Sequence, residues 1–246
     1  MRINKTILQK YKIIKVYFII IFLSFLAGIY LMEGYLTFWK DPKSVEKAKI
    51  YKKNTGLEYD TRSKTQAYKD LKKIKNNVTI RVTPLNFINK KSSIYPLSGI
   101  ANAETLQCNE NGYLSMYTSD RYGFNNPDTE WDQETIEFLL VGDSFTHGSC
   151  VNRPNDIASV LRTLTNKSVL NLGYATNGPL TEYATLREYL KPNVKKILWF
   201  YFEGNDLLEF KDKFSNQILS KYVSDISFKQ DLINKQDTIN IMTDKL

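Results

Sequence analysis

Three apolar runs in the second half of the chain, each followed by a polar, glycine-containing motif, constrain the fold most. They predict strands at residues 136–142, 168–173 and 196–202. The third is a continuous apolar run, which is typical of a strand buried on both faces. Helical patterns lie between the runs, so the order is β-α-β-α-β and predicts a parallel sheet with right-handed crossovers. All three motifs then fall at the carboxyl ends of strands, where open α/β sheets place their sites.

Apolar spacing predicts the helices of this region. The first covers about 155–165, and its apolar face is formed by Ile157, Val160, Leu161 and Leu164. The second opens at Pro179 and is ended by Pro192. The third covers 206–222, with its inward side formed by Leu207, Phe210, Phe214, Ile218 and Tyr222.

The first motif, Gly142-Asp143-Ser144, places a serine hydroxyl where a buried strand gives way to a helix start. Such a serine is lifted out of the sheet, beside the first free N–H groups of the helix. This suits a nucleophile that must leave an oxyanion near backbone donors. The second motif is NLGYATNG at 171–178, and the third is FEGND at 202–206.

In this order the motifs resemble those of the SGNH (GDSL-type) hydrolase family, over roughly residues 135–210. The resemblance implies that Ser144 is the nucleophile and that Gly173 and Asn205 join the Ser144 N–H as oxyanion donors. It also implies a flavodoxin-like, three-layer α/β/α parallel sheet of about five strands. The supporting motif positions are Gly142, Asp143, Gly204 and Asp206.

Two features depart from the family pattern. Glu203 stands where the third motif usually has its first glycine, and we expect its carboxylate to point away from the developing negative charge. The family's Asp-x-x-His is missing, and the only histidine is His147. A side chain on the nucleophile's own helix rarely reaches the substrate side of Oγ, so a packing or supporting role is expected for His147. We expect Asp143 and Asp206 to accept backbone N–H bonds and fix their loops.

The chain provides three of the family's strands, and both the remaining strands and Asp-x-x-His would follow residue 246. A C-terminally truncated fragment would explain both absences. The alternative is a short variant without catalysis. In either case a strongly apolar edge strand would be unpaired, which favours aggregation.

The N-terminal stretch at 16–32 carries no charge, and apolar character continues to residue 38, which approaches the length needed to cross a bilayer. Only basic charges precede it, so the N-terminus is predicted to be cytoplasmic. Its length and the bulky residues that follow favour an uncleaved signal anchor over a cleaved signal peptide. The predicted organisation is a basic tail at 1–15, a transmembrane helix at 16–38, a linker and irregular α+β region at 39–134, and a partial SGNH-like domain at 135–246. The protein would cross the inner (plasma) membrane once, with its main domain periplasmic or otherwise extracytoplasmic.

The net charge of +8 arises largely from the lysine-rich residues 40–75. An exported domain is not expected to bind nucleic acid. Attraction to anionic lipid or an acidic glycan is possible, but the solvated face of a membrane-proximal stalk is the favoured interpretation. Cys108 and Cys150 either form a disulfide, as exported proteins allow, or are two independent buried thiols. One histidine and two separated cysteines do not make a zinc site, and we expect no metal or cofactor.

These features predict a membrane-anchored serine esterase or O-acyltransferase. It would act on acyl, and in particular acetyl, esters of cell-envelope glycans through an acyl-serine intermediate. The substrate class follows from analogy with other anchored members of the family. The alternative is a catalytically inactive module that binds glycan or serves as a scaffold in envelope polysaccharide assembly. A third interpretation is an anchor whose lysine stalk recruits acidic partners. The loop with Arg121, Tyr122 and Asn125 either lines a sugar site or anchors itself.

Overall fold

The computed structural model describes residues 5–38, 42–204, 206 and 213–246. The chain forms two compact units, residues 1–57 and 58–246. In the first unit, α1 (Lys5–Phe38) contains a 25-residue stretch, Ile13–Thr37, with a mean hydropathy of 2.3. It is long and apolar enough to cross a membrane, and its apolar side chains are exposed rather than packed in a core. Part of the predicted basic tail is therefore helical, since α1 begins at Lys5. The lysine-rich helix α2 (Pro42–Thr55) follows.

The second unit mixes helices and strands. Its strands are β1 (Val78–Ile80), β2 (Glu104–Leu106), β3 (Met116–Thr118), β4 (Ile136–Val141), β5 (Val169–Asn171) and β6 (Val194–Trp199). Its helices are α3 (Lys64–Lys72), α4 (Ser144–His147), α5 (Ile157–Thr165), α6 (Pro179–Tyr189), α7 (Gln217–Ser224) and α8 (Gln236–Asp244). Short 3₁₀ helices lie at Pro84–Phe87, Asp128–Asp132 and Leu232–Lys235.

The main sheet has the strand order β5-β4-β6, and both pairings are parallel. In its register, Phe138 of β4 lies opposite Val169 of β5 on one side and Lys196 of β6 on the other. The structure thus confirms a mixed α/β fold with the three parallel strands that the apolar runs predict. Because β4 lies at the centre, the segment after Val141 emerges between the ends of both neighbouring strands.

The prediction that the third strand is buried on both faces is wrong. β6 is an edge strand, and the side chains of Ile197 and Trp199 are 43% and 45% exposed. The exposed side chains of Tyr201 and Phe202 continue this apolar surface beyond the strand. No described strand pairs with the outer edge of β6. It therefore corresponds to the unpaired apolar edge strand expected for a sheet of three strands.

The apolar face predicted for the 155–165 helix is confirmed only in part. Val160 and Leu164 of α5 are exposed. Leu161, by contrast, packs against the cluster of Leu140 and Val169 in the sheet, and Ala158 is fully buried there. The small alanine side chain lets this face approach the strands closely. Helical spacing identifies an apolar face, but it does not decide which face meets the sheet.

The core extends well before the predicted domain boundary at residue 135. Phe87, Leu97 and Phe124 are buried in the same cluster as Leu139 and Leu170 of the main sheet. A second sheet of order β1-β2-β3 also lies in this region, with β1 and β2 parallel and β2 and β3 antiparallel. Residues 58–134 therefore form part of one packed unit with the parallel sheet.

A disulfide joins Cys108 to Cys150 across 42 residues of sequence. It connects the segment after β2 to the segment after α4. The Cys150 N–H also donates to the side chain of Gln107, at 2.9 Å, so the two segments are held by a covalent bond and a buried hydrogen bond.

The C-terminal helices attach to α6 through Glu188. One carboxylate oxygen of Glu188 accepts from the Tyr222 hydroxyl at 2.5 Å and the Gln230 N–H at 2.6 Å, and the other accepts from the Leu232 N–H at 2.9 Å. Tyr222 is buried, as predicted for the inward side of the third helix, but Phe214 is half-exposed. Leu207 and Phe210 lie outside the described residues.

Candidate functional site around Ser144

Ser144 is the first residue of α4 and directly follows the turn that ends β4. Asp143 caps the helix, since its Oδ1 accepts the Phe145 N–H at 3.2 Å. The first N–H groups of a helix have no partner inside it, so the Ser144 N–H faces outward from the helix end. Ser144 is partly exposed, and no residue in the described part of the chain hydrogen-bonds to its Oγ. A hydroxyl and an N–H are thus presented together at the carboxyl end of the central strand.

A glycine is required at position 142 because the turn is tightly packed. A Cβ there would lie 3.0 Å from the Thr146 Cβ and 3.1 Å from the Phe200 Cβ. The first contact belongs to α4 and the second to the segment after β6. Gly142 therefore allows α4 to fold back over the end of β4, which brings Ser144 into place.

Buried asparagines hold the far end of α4. Asn171 Nδ2 donates to the Thr146 carbonyl at 2.6 Å, and Asn125 Nδ2 donates to the His147 carbonyl at 2.9 Å. Asn126 in turn holds the backbone of Asn171, accepting its N–H and donating to its carbonyl, each at 2.8 Å. These contacts satisfy carbonyls that a short helix leaves without partners. Sequence reasoning did not anticipate them.

The 121–125 loop anchors itself rather than lining a site. Arg121 pairs with Asp128 at 2.7 Å and with Asp132 at 2.5 Å. Tyr122 packs edge-on against Trp131, with ring centroids 4.6 Å apart, and Asn125 is fully buried. Of the two interpretations of this loop, the structure favours anchoring.

Gly173 is not available as the oxyanion donor that the resemblance implies. Its N–H donates to Asn171 Oδ1 at 2.8 Å, which closes a local turn of the kind that Asn side chains favour. A Cβ at this position would lie 2.6 Å from the Thr146 Cβ. The glycine is therefore explained by the close approach of α4, and its N–H is already used inside the protein.

The third motif forms a closed turn. Asp206 Oδ2 accepts the Phe202 N–H at 2.6 Å, and the Asp206 N–H donates to the Phe202 carbonyl at 3.3 Å. Both Asp143 and Asp206 therefore fix their loops through backbone N–H bonds, as predicted. Glu203 and Gly204 are exposed at the tip of the turn. The other implied oxyanion donor, Asn205, lies outside the described residues.

His147 packs inside the protein. It is completely buried, stacked on Tyr174 with ring centroids 4.6 Å apart and edge-on to Tyr117 at 5.2 Å. Burial, reinforced by the positive charge of Arg81, holds the pKa of His147 well below its usual value. The imidazole is therefore neutral and has no access to a substrate at Ser144, which agrees with the expected packing role.

Glu182, which sequence reasoning missed, is a buried acid on the first turn of α6. Its Oε2 accepts the Trp199 indole N–H at 2.6 Å. Burial raises the pKa of Glu182 to about 7; Asp206 and Asp143 add to the shift, while the Trp199 bond and Lys213 oppose it. Glu182 is thus influenced by acids from the turns after β4 and β6 and by Lys213, which donates to the Thr176 carbonyl at 2.5 Å.

A groove of about 420 Å³ opens beside Ser144. Polar side chains on its walls include Glu110, Asn111 and Asn155, all of them exposed. Phe145 forms part of the same groove. Across the part of the chain that the structure describes, no group of three or more histidine, cysteine, aspartate or glutamate side chains is placed to hold a metal ion.

The fold and the site define a class in general terms: a mixed α/β protein with a serine at the carboxyl end of the central strand of a parallel sheet. No family model, curated protein or solved structure matches the chain. A more particular function is therefore argued from the site itself.

Proposed function

We propose that this protein is a membrane-anchored serine esterase or O-acyltransferase of the SGNH type, with Ser144 as its nucleophile and acyl esters of cell-envelope glycans as its substrates. The observation that carries the proposal is the partly exposed Ser144, which opens α4 at the end of the central strand and lines a groove. The strand order β5-β4-β6 agrees with the first three strands of a flavodoxin-like sheet. The apolar span Ile13–Thr37 would anchor the domain at the outer face of the inner membrane.

In the proposed reaction, Ser144 Oγ attacks the ester carbonyl carbon while a base takes the hydroxyl proton. The carbonyl oxygen becomes an oxyanion beside the Ser144 N–H. The C–O bond to the alcohol then breaks, the alcohol leaves with the proton, and an acyl-serine remains. Water or a sugar hydroxyl next takes the acyl group and restores Ser144. His147 cannot be the base in this arrangement because it is fully buried against Tyr174.

The second candidate is an inactive module that binds acylated glycan or serves as a scaffold in envelope assembly. Two observations favour it: the Gly173 N–H is occupied by Asn171, and the only histidine of the chain is enclosed by aromatic rings. The first feature removes an oxyanion donor that the resemblance implies, and the second removes His147 as a base.

Labelling with a fluorophosphonate probe separates these functions. The full-length chain in detergent is treated with the probe and compared with Ser144→Ala and with Ser93→Ala, which removes an exposed hydroxyl outside the groove. The esterase proposal expects labelling and hydrolysis of vinyl acetate to be lost in Ser144→Ala and kept in Ser93→Ala. No labelling in any variant, with glycan binding that survives Ser144→Ala, would refute it in favour of the binding module.

A further inference from the structure

We propose that Phe145 and Phe202 form an aromatic platform that stacks against the sugar ring carrying the ester and so sets the substrate across Ser144. The effect of the platform on ester hydrolysis rests on the proposed function, whereas the binding of a sugar ring by the platform is tested separately. The platform would make the substrate an acylated sugar rather than a lipid ester.

Both rings present apolar surface to solvent. Phe145 is 62% exposed and Phe202 is 44% exposed, with ring centroids 5.5 Å apart and an angle of 55° between the planes. Other apolar side chains of this unit, such as Phe214, are exposed to a similar degree, so exposure alone does not mark a site. This pair differs because the two rings contact each other and Phe145 lines the groove beside Ser144.

The backbone places the pair beside the nucleophile. Phe145 immediately follows Ser144 on α4, and Phe202 follows β6, whose residue Trp199 lies opposite Val141 at the end of β4. The Asp206 carboxylate accepts the Phe202 N–H and fixes the turn that carries the second ring. The rings thus come from the ends of two neighbouring strands and contact each other beside the groove, which Phe145 lines.

The chemistry of the groove favours a sugar ring over a long acyl chain. A pyranose has an apolar C–H face, which can lie against an aromatic ring, and a rim of hydroxyls. The side chains of Glu110, Asn111 and Asn155 are exposed on the groove walls and can exchange hydrogen bonds with such hydroxyls. Ligand sites commonly combine apolar surface with a few polar groups that fix orientation. The same groove is also lined by the apolar side chains of Phe145, Val151 and Ile157. This mixture suits a ring with an apolar face and a polar rim better than a bare acyl chain, which has no partner for the polar side chains.

The kinetic test compares an ester with a sugar ring and an ester without one. Methyl 6-O-acetylglucoside, which keeps free ring hydroxyls, and vinyl acetate are offered to the full-length chain, to Phe145→Ala, to Phe145→Trp and to the matched control Leu164→Ala, which truncates a side chain that is 78% exposed on α5 outside the groove. Loss of one stacking contact is expected to raise KM for methyl 6-O-acetylglucoside roughly tenfold with little change in kcat. Vinyl acetate hydrolysis should change less than about twofold, and Phe145→Trp should keep the low KM, since it retains an aromatic face.

Equal losses on both esters in Phe145→Ala would overturn the platform, because they would indicate damage to Ser144 itself. An unchanged KM for the sugar ester would overturn it as well. Binding is also measured in the Ser144→Ala background by saturation-transfer NMR with methyl 6-O-acetylglucoside. If the wild-type chain hydrolyses neither ester, the proposed reaction fails, yet the NMR signal and its loss in Ser144→Ala/Phe145→Ala still decide whether the platform binds a sugar. Absence of that signal, or its persistence without Phe145, refutes the inference.

Discussion

Asn171→Ala tests how strongly the nucleophile's helix depends on one buried side chain. Asn171 is fully buried, donates to the Thr146 carbonyl at 2.6 Å and accepts the Gly173 N–H at 2.8 Å. The alanine leaves both backbone groups buried without a partner, at about 1–3 kcal/mol each. We therefore expect the free energy of unfolding to fall by about 2–6 kcal/mol, towards the lower end if water enters the space.

The change is measured by urea unfolding of the detergent-solubilised chain, followed by tryptophan fluorescence. The control is Asn234→Ala, which removes one exposed hydrogen bond to Asp231 and should cost less than about 1 kcal/mol. Asn171→Asp keeps the acceptor for Gly173 but sets a carboxylate oxygen against the Thr146 carbonyl in a fully buried site, so it should cost at least as much as the alanine. A loss in Asn171→Ala no larger than that in Asn234→Ala would refute the argument that this side chain holds α4 in place.

Three further predictions concern other parts of the fold. The pKa of Glu182 is raised from its usual 4.5 to about 7, so the folded state binds a proton that the unfolded state has released. The stability that this group contributes is therefore present below about pH 4.5 and is lost as the pH rises to about 7. Glu182→Gln should remove that decline when the free energy of unfolding is measured by urea melts across this pH range. The same pH dependence in the wild-type protein and the variant would contradict the prediction. Cys108→Ser opens a loop of 42 residues and should lower the free energy of unfolding by about 4 kcal/mol in a non-reducing urea melt, with no effect of reductant on the variant. Ile197→Lys should weaken self-association seen by light scattering because it puts a charge on β6, whose outer edge pairs with no described strand. Ile226→Lys, at a side chain that is 86% exposed elsewhere, should not.

The parallel sheet could be predicted because apolar runs and helical spacing are strong local signals. The position of Ser144 followed from the same signals, since it ends one such run. The burial of individual faces could not be predicted, as Val160 and Ala158 show: either side of α5 could meet the sheet, and the choice depends on packing with Val169. The strands of the region before residue 135 are three residues each, too short for alternation to identify.

The role of Gly173 shows a second limit of sequence reasoning. A motif indicates which residues are present, but the hydrogen bonds of a backbone N–H depend on the neighbouring side chain. Asn171, two residues earlier, takes the Gly173 N–H and at the same time supports α4. Glu182 was missed for a similar reason, because its shifted pKa depends on burial and on acids from the turns after β4 and β6.

The backbone around the nucleophile is held firmly by the protein, whereas the Ser144 hydroxyl is not. The backbone from Gly142 to Cys150 is fixed by close packing at Gly142, by the Asp143 cap, by side chains from Asn125 and Asn171, and by a disulfide. Yet the Ser144 Oγ receives no hydrogen bond from any residue in the described ranges, and the adjacent Phe145 is left largely in water. The partly exposed hydroxyl is therefore open to a substrate and is not used to hold the fold. Firm support beneath an unpaired hydroxyl and an exposed ring is the arrangement that a binding or reacting site requires.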